Sequence, residues 1–269
     1  MEERHVVSPN GSTYYWISKP ANAQDRAIVF LHGLTADHRL FDRQVEDFTA
    51  EYTVVAWDAP GHGKSRPYAD FSYANLAEEL KTILDAQSIR HVVLAGQSMG
   101  GFVAQSFISR YPLAVKGFIA IDTCPYGTAY YSKSDFFWLR QTEWMFRCFP
   151  DKLLRGTMAR MCGSTPYARA HMQTMLQAYT KDELCRLMYI GFAGFIPEVH
   201  DLAIPCPVTL ILGANDRTGR VRRYNRRWHE AQGYPLHVIA NASHNANEDA
   251  PAQVNSILHD FLREIGWHA

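Results

Sequence analysis

The sequence lacks what several large protein classes require. It has no excess of either charge: lysine plus arginine and aspartate plus glutamate number 27 each, for a formal net charge of zero. A nucleic-acid binder normally carries a basic surplus, so that class is disfavoured. The five cysteines (Cys124, Cys148, Cys162, Cys185 and Cys206) are odd in number and show neither a CxxC pair nor a metal-ligand spacing. A chain this long needs no disulfides, and reduced thiols in a cytosol are the simplest account. No apolar run approaches membrane-spanning length. The opening "MEERHVVSPNGSTYYW" has no apolar core of the kind a secretion signal carries. Internal repeats and low-complexity linkers are missing too. The expectation is a soluble cytoplasmic protein that engages neither nucleic acid nor membrane, with no signature of a particular oligomer.

What is present is a globular composition, 47% hydrophobic and 20% charged. Apolar runs alternate with amphipathic ones. "AIVFLHG" from Ala27, "TVVAWD" from Thr53, "HVVLAGQ" from His91, "VKGFIAID" from Val115 and "PVTLILGAND" from Pro207 read as buried strands. "STYYWIS" from Ser12 and "PLHVIANAS" from Pro235 read as further strands. "HRLFDRQVEDFTAEY", "SYANLAEELKTILDAQ", "MGGFVAQSFISRY", the stretch through Tyr224 and Trp228, and the segment from Pro251 have helical spacing. Buried strands alternating with helices imply a mostly parallel sheet covered on both faces, an α/β fold. One basic run, Arg217, Arg220, Arg222, Arg223, Arg226 and Arg227, reads first as the solvated face of a helix, and only second as an anion-binding patch.

Residues 123–203 interrupt the alternation and are too long for a plain connection. Within "FWLRQTEWMFRCF" a single helical wheel puts Phe137, Trp138, Trp144, Met145, Cys148 and Phe149 in one sector. "TKDELCRLMYIGF" opens on a possible capping box from Thr180 to Glu183. The segment reads as an inserted helical module, with residues 1–122 and 204–269 forming the core around it.

Ser98 stands in "LAGQSMGGFVAQ", between a predicted strand and a predicted helix. In that setting G-x-S-x-G becomes a nucleophile elbow, a turn so tight that flanking Cβ atoms would clash. The serine then sits at a helix N-terminus, where developing negative charge is favoured. A serine hydroxyl needs a base, and His244 in "NASHNANEDAP" follows the last predicted strand. The base needs an orienting acid. Asp216 in "ILGANDRTG" stands first by its placement, and Asp122 in "FIAIDTCP" is the rival. The oxyanion donors expected are the backbone N–H of Met99 and, from the loop "FLHGLTAD", that of Leu34, with the Thr35 hydroxyl as an extra candidate.

Together His32-Gly33, "DAPGHGKS" at 58–65, "GQSMGG", "GAND" and "SHNANEDAP" resemble the α/β-hydrolase superfamily over essentially the whole chain. The resemblance implies an eight-stranded-type, mostly parallel sheet with helices on both faces and a helical cap over the active site. It implies a scaffold role for Asp58 and His62, and no cofactor or metal. Relatives that open epoxides or remove halogens carry aspartate where Ser98 stands, so this chain is more similar to small esterases, lactonases and carbon–carbon bond hydrolases. The expected function is a Ser98–Asp216–His244 hydrolase acting through an acyl-enzyme on a small-to-medium, partly apolar carboxylic ester or lactone. The alternatives are a diketone-type carbon–carbon bond hydrolase with the same triad and a slow-turnover ligand-binding or receptor-like relative. Tyr126, Phe137, Trp138 and Trp144 are the aromatics expected to meet a small-molecule substrate. Cys124 and Met99 are expected as pocket walls. The insertion carries nine Lys/Arg against seven Asp/Glu between 123 and 201, which gives little reason to expect a highly anionic substrate.

Overall fold

The branched and aromatic runs become the strands of one sheet. In the computed structural model, which describes residues 1–21 and 25–267, they are joined by one further strand, and the sheet comprises β1 (Glu2–Ser8), β2 (Gly11–Ser18), β3 (Arg26–Leu31), β4 (Val54–Trp57), β5 (His91–Gln97), β6 (Val115–Ile121), β7 (Val208–Gly213) and β8 (Leu236–Ile239). Their order across the sheet is β1-β2-β4-β3-β5-β6-β7-β8. The pairs β1–β2 and β2–β4 are antiparallel, and the remaining neighbours are parallel. The central strands β4, β5 and β7 are almost wholly buried, as expected where helices cover both faces of a parallel sheet. Strand β1 has no counterpart in the sequence reading. It is a largely exposed edge strand that opens on Glu2, Glu3 and Arg4, so it carries no apolar–polar alternation to betray it.

The helices are α1 (Asp42–Phe48), α2 (Tyr73–Ala86), α3 (Met99–Arg110), α4 (Lys133–Leu139), α5 (Thr142–Arg147), α6 (Asp151–Cys162), α7 (Pro166–Gln177), α8 (Lys181–Ala193), α9 (Val221–Gln232), α10 (Ala246–Asp249) and α11 (Pro251–Glu264). On one face of the sheet Leu76, Leu80, Val103, Phe107, Tyr224 and Trp228 bring α2, α3 and α9 onto the strands. On the other, Phe48, Val254, Leu258 and Phe261 bring α1 and α11. Helices α4 to α8 all lie between β6 and β7 in the chain. Three of them share a small core of their own, in which Ala159, Met172, Leu176, Leu184 and Leu187 meet.

Local signals explain the helix starts. The Ser72 hydroxyl accepts the Asn75 N–H at the head of α2, and Thr180 and Glu183 form the reciprocal capping box of α8. One expectation fails. The stretch from Phe137 to Phe149 is not one helix: it breaks at Arg140–Gln141 into α4 and α5. A single wheel cannot carry across that break, and Phe137, Trp138 and Trp144 end up 56%, 56% and 55% exposed.

The insertion is tied to the core beside the last strand. The Asp249 carboxylate accepts N–H groups from Ser164 (2.8 Å), Thr165 (2.7 Å) and Ser243 (2.8 Å). The Cys162 carbonyl accepts the Asn245 N–H at 2.7 Å. His171 on α7 pairs with buried Glu248, and that hydrogen bond holds the imidazole above its usual pKa. Asp249→Ala leaves three backbone donors without an acceptor. The expected loss is about 2–3 kcal/mol in urea unfolding, with faster proteolytic cutting between α6 and α7. Unchanged stability and cutting would mean that the tie contributes nothing.

Candidate active site

The parallel strands deliver their following residues to one edge of the sheet, the usual place for a site in an open α/β fold. Leu34 follows β3, Ser98 follows β5, Asp122 follows β6, Asp216 follows β7 and His244 follows β8. Ser98 takes φ 51° and ψ −114°, outside the regions ordinary residues adopt. Two glycines make that turn possible. A Cβ on Gly96 would lie 2.5 Å from the Gly100 carbonyl oxygen, and one on Gly100 would lie 1.9 Å from that of Leu31. The strand–turn–helix passage is therefore closed to larger residues at both positions.

His244 is held at both ends of its ring. Nδ1 lies 2.8 Å from Asp216 Oδ2, and Nε2 lies 2.8 Å from Ser98 Oγ. With the carboxylate accepting at Nδ1–H, Nε2 is left as the acceptor for the serine proton. Asp216 is buried, and its second oxygen accepts the Thr218 N–H at 2.7 Å, which fixes the carboxylate. The structure thus brings Ser98, His244 and Asp216 together in one relay.

The rival acid has another occupation. Asp122 is fully buried, with Oδ1 accepting the Gly213 N–H at 2.7 Å and Oδ2 the Ala246 N–H at 3.2 Å. Burial and the nearby Asp216 charge push its pKa well up. It braces the loops that carry Asp216 and His244 and makes no hydrogen bond to the imidazole.

Met99 opens α3, and Leu34 lies in the loop after β3. Neither N–H meets an acceptor among the described residues, so both remain available to a developing oxyanion. The Thr35 hydroxyl does not join them. Thr35 sits at φ 62° and donates to the Leu34 carbonyl at 2.6 Å.

Ser98 and His244 open into a cavity of about 270 Å³. Its walls include Leu139, Phe146, Phe149, Leu154, Met158, Met161, Met172, Met188 and Phe192, all from α4 to α8 or the turns between them. None of the four aromatics singled out in the sequence lines it. Phe137, Trp138 and Trp144 are more than half exposed instead. Tyr126 is buried against Phe102 and Phe195, donates its hydroxyl to the Phe102 carbonyl, and lines a separate groove. The wall residues expected nearby also differ. Cys124 and Met99 do not line the cavity, whereas Cys162 does, its thiol pushed up to about 12 by burial and so un-ionised. The methionines escaped notice because they are scattered over three helices. Their signal was the spacing Met158–Met161 on one helix face.

The turn at 58–65 has a structural occupation. Asp58 accepts the N–H groups of His38 and Lys64, and His62 is buried and driven down to about 3 by desolvation. Asp37, His38 and Asp58 come close enough to suggest a metal cluster. Their oxygens are already committed, however, to Arg39, His38 and Lys64.

The two acids are separable by experiment. Asp216→Asn should lower kcat by about 10⁴-fold through loss of the tautomer and its charge. Asp122→Asn can accept only one of the two N–H groups well, so the expected result is about 1–2 kcal/mol of stability lost and a much smaller fall in kcat. A larger kcat loss for Asp122→Asn would reverse the two roles.

Several known proteins are similar to this chain. A 3-oxoadipate enol-lactonase of Acinetobacter baylyi is 40% identical over 88 residues, 33% of this chain and 32% of that protein. The matched stretch thus spans about a third of that relative. A bromoperoxidase from Bacillus anthracis superposes with a TM-score of 0.81 at 18% identity, over 97% of this chain and 100% of the other. A thermophilic esterase from Thermogutta terrifontis gives 0.78 at 18% identity, covering both chains fully (100%). At such identities the structural likeness speaks for the fold alone. The alpha/beta hydrolase family model matches residues 28–257, which run from the first parallel strand, through the elbow and both acids, into the last helix. On that match and this fold, the chain belongs to the alpha/beta hydrolase family.

Proposed function

We propose that the chain is a serine hydrolase that cleaves a small-to-medium, partly apolar carboxylic ester or lactone through an acyl-enzyme. The observation that carries this reading is the pair of 2.8 Å contacts of His244, to Ser98 Oγ and Asp216 Oδ2, opening on a small apolar cavity. Ser98 Oγ attacks the carbonyl carbon while His244 takes its proton. The imidazolium so formed is stabilised by Asp216 and returns the proton to the leaving oxygen. The N–H groups of Met99 and Leu34 hold the oxyanion, at the positive end of α3. Water then enters, loses a proton to His244 and releases the acid.

The cavity limits the substrate. At about 270 Å³ it is at the small end of ligand pockets. Methionines let its walls adapt to chains of differing shape. In this reading residues 123–203 act as the lid and residues 1–122 and 204–269 as the core. The lactone option draws on the enol-lactonase relative. Ester or lactone chemistry is favoured over cleavage of a diketone, because no Lys or Arg is among the described lining residues to ionise such a substrate.

The test is p-nitrophenol release from p-nitrophenyl esters of increasing acyl length. The optimum is expected at short or medium acyl chains, and Ser98→Ala should lower kcat by about 10⁴-fold or more. Folded wild-type protein without turnover on any ester or lactone would sink the reading.

A further inference from the structure

The arginine run has a position that a merely solvated face does not require. Arg217, Arg220, Arg222, Arg223, Arg226 and Arg227 are exposed on the loop after β7 and the first part of α9. They line a groove of about 640 Å³ completed by Asp216, Gly219 and Glu230. Gly219 also lines the Ser98 cavity, as does its neighbour Thr218. The cationic groove and the apolar cavity therefore meet at one turn, directly after the acid that holds His244.

Few of these cations are neutralised. Arg220 pairs with Asp135, while Arg222 and Arg227 each donate to one backbone carbonyl, of Ala214 and Tyr130. Arg217, Arg223 and Arg226 meet no acceptor among the described residues. Among the described residues of the groove Glu230 is the remaining acid, since Asp216 is occupied by His244 and Thr218. The location adds to the charge. The first turn of α9 has no acidic residue, and its N-cap, Arg220, makes no side-chain cap. Cations there oppose the helix dipole, whereas a helix serving only as scaffold gains from Asp or Glu in that turn. An anion lying in the groove would relieve both the mutual repulsion and the unfavourable dipole.

We propose that this groove binds a phosphate-bearing leaving group, so that the natural substrates are acyl esters or thioesters of a phosphorylated alcohol or thiol. The assignment deepens the hydrolase reading and rests on it. The guanidinium fork matches phosphate oxygens in pairs. The acyl part occupies the methionine-lined cavity, and the leaving group extends past Thr218 and Gly219 into the arginines. The near-balanced charge of the insertion gave no hint of an anionic substrate because these cations belong to the core. In the reaction a bond forms from Ser98 Oγ to the acyl carbon, and the carbon–oxygen or carbon–sulfur bond to the leaving group breaks. His244 carries the serine proton to that oxygen or sulfur. Water then splits the acyl-serine bond, giving the free acid, and the phosphate is untouched.

Coenzyme A, a soluble phosphorylated thiol, is the probe. It is titrated calorimetrically into Ser98→Ala protein with and without Arg223→Glu and Arg226→Glu, with Arg→Gln at both positions as a milder pair. Binding is expected to weaken about tenfold or more on charge reversal, less in the glutamine pair, and similarly in about 0.5 M salt. With Ser98 present, the ratio of kcat/KM for butyryl-coenzyme A to that for p-nitrophenyl butyrate should fall about tenfold on charge reversal. Equal binding by the reversed variant, or an unchanged ratio, would overturn the proposal. Arginine-dependent sedimentation with phosphatidylglycerol vesicles, without coenzyme A binding, would assign the groove to lipid headgroups and overturn it too. Arginine-dependent coenzyme A binding alongside no ester turnover would support the anion groove and count against the hydrolase reading alone.

Discussion

Ser98 is held in a backbone conformation that an L-residue adopts only under constraint, at φ 51°, and that constraint sets the positions of its partners. Such strain costs about 1–3 kcal/mol and persists only where the surroundings over-determine it. Here they do. The Ser98 N–H donates to the Ile121 carbonyl at 2.9 Å, and its own carbonyl accepts the Thr123 hydroxyl at 2.6 Å and the Gly101 N–H at 3.0 Å. The turn is thus clamped to the end of β6 on one side and to the first turn of α3 on the other. Gly100 allows α3 to sit against the Leu31 carbonyl, which brings the Leu34 loop and the elbow to one place.

The loop bearing His244 is fixed with comparable thoroughness, by groups on either side of the imidazole. Asp249 takes the Ser243 N–H, Gln97 donates to the His244 carbonyl, the Cys162 carbonyl takes the Asn245 N–H, and Asp122 takes the Ala246 N–H. With the flanking backbone committed, the ring lies between Asp216 and Ser98 and bonds to both. Two of these ties, from Cys162 and through Asp249, join the loop to the inserted helices. Packing of the insertion and placement of the base are therefore mechanically linked. A displacement of about 1 Å in such a constellation can reduce rate by about 10²-fold.

The surfaces around Ser98 divide by chemistry. Inward, the insertion presents thioethers and phenyl rings from α5 to α8 and the adjoining turns; outward, it presents Phe137, Trp138 and Trp144. The core presents arginines from α9 at the neighbouring groove. An apolar chamber and a cationic groove meet at Gly219 and form an asymmetric surface beside Ser98.

Much of the fold and of the candidate site was legible in the sequence, for local reasons. Branched runs became buried strands because both faces of a parallel sheet are covered, so no alternation is needed to recognise them. Ser98 could be placed because the glycine spacing answers a steric demand of a few adjacent residues, and Asp216 and His244 because residues after strands of one sheet reach one edge. Strand β1 was hidden by its exposure, and the α4–α5 break by a wheel that presumes an unbroken helix. Which side of the insertion faces Ser98 was not legible, since a helical wheel ranks faces by polarity without naming what each face meets. Nor could a list of strand-end carboxylates say which one would reach the imidazole. The amino-acid order alone determined the sheet, the elbow and the identities of the candidate residues. Tertiary packing decided that Asp216 meets His244 while Asp122 braces the loops, and that methionines rather than tryptophans wall the cavity. Those outcomes depend on distances between segments far apart in the chain, which local patterning does not encode.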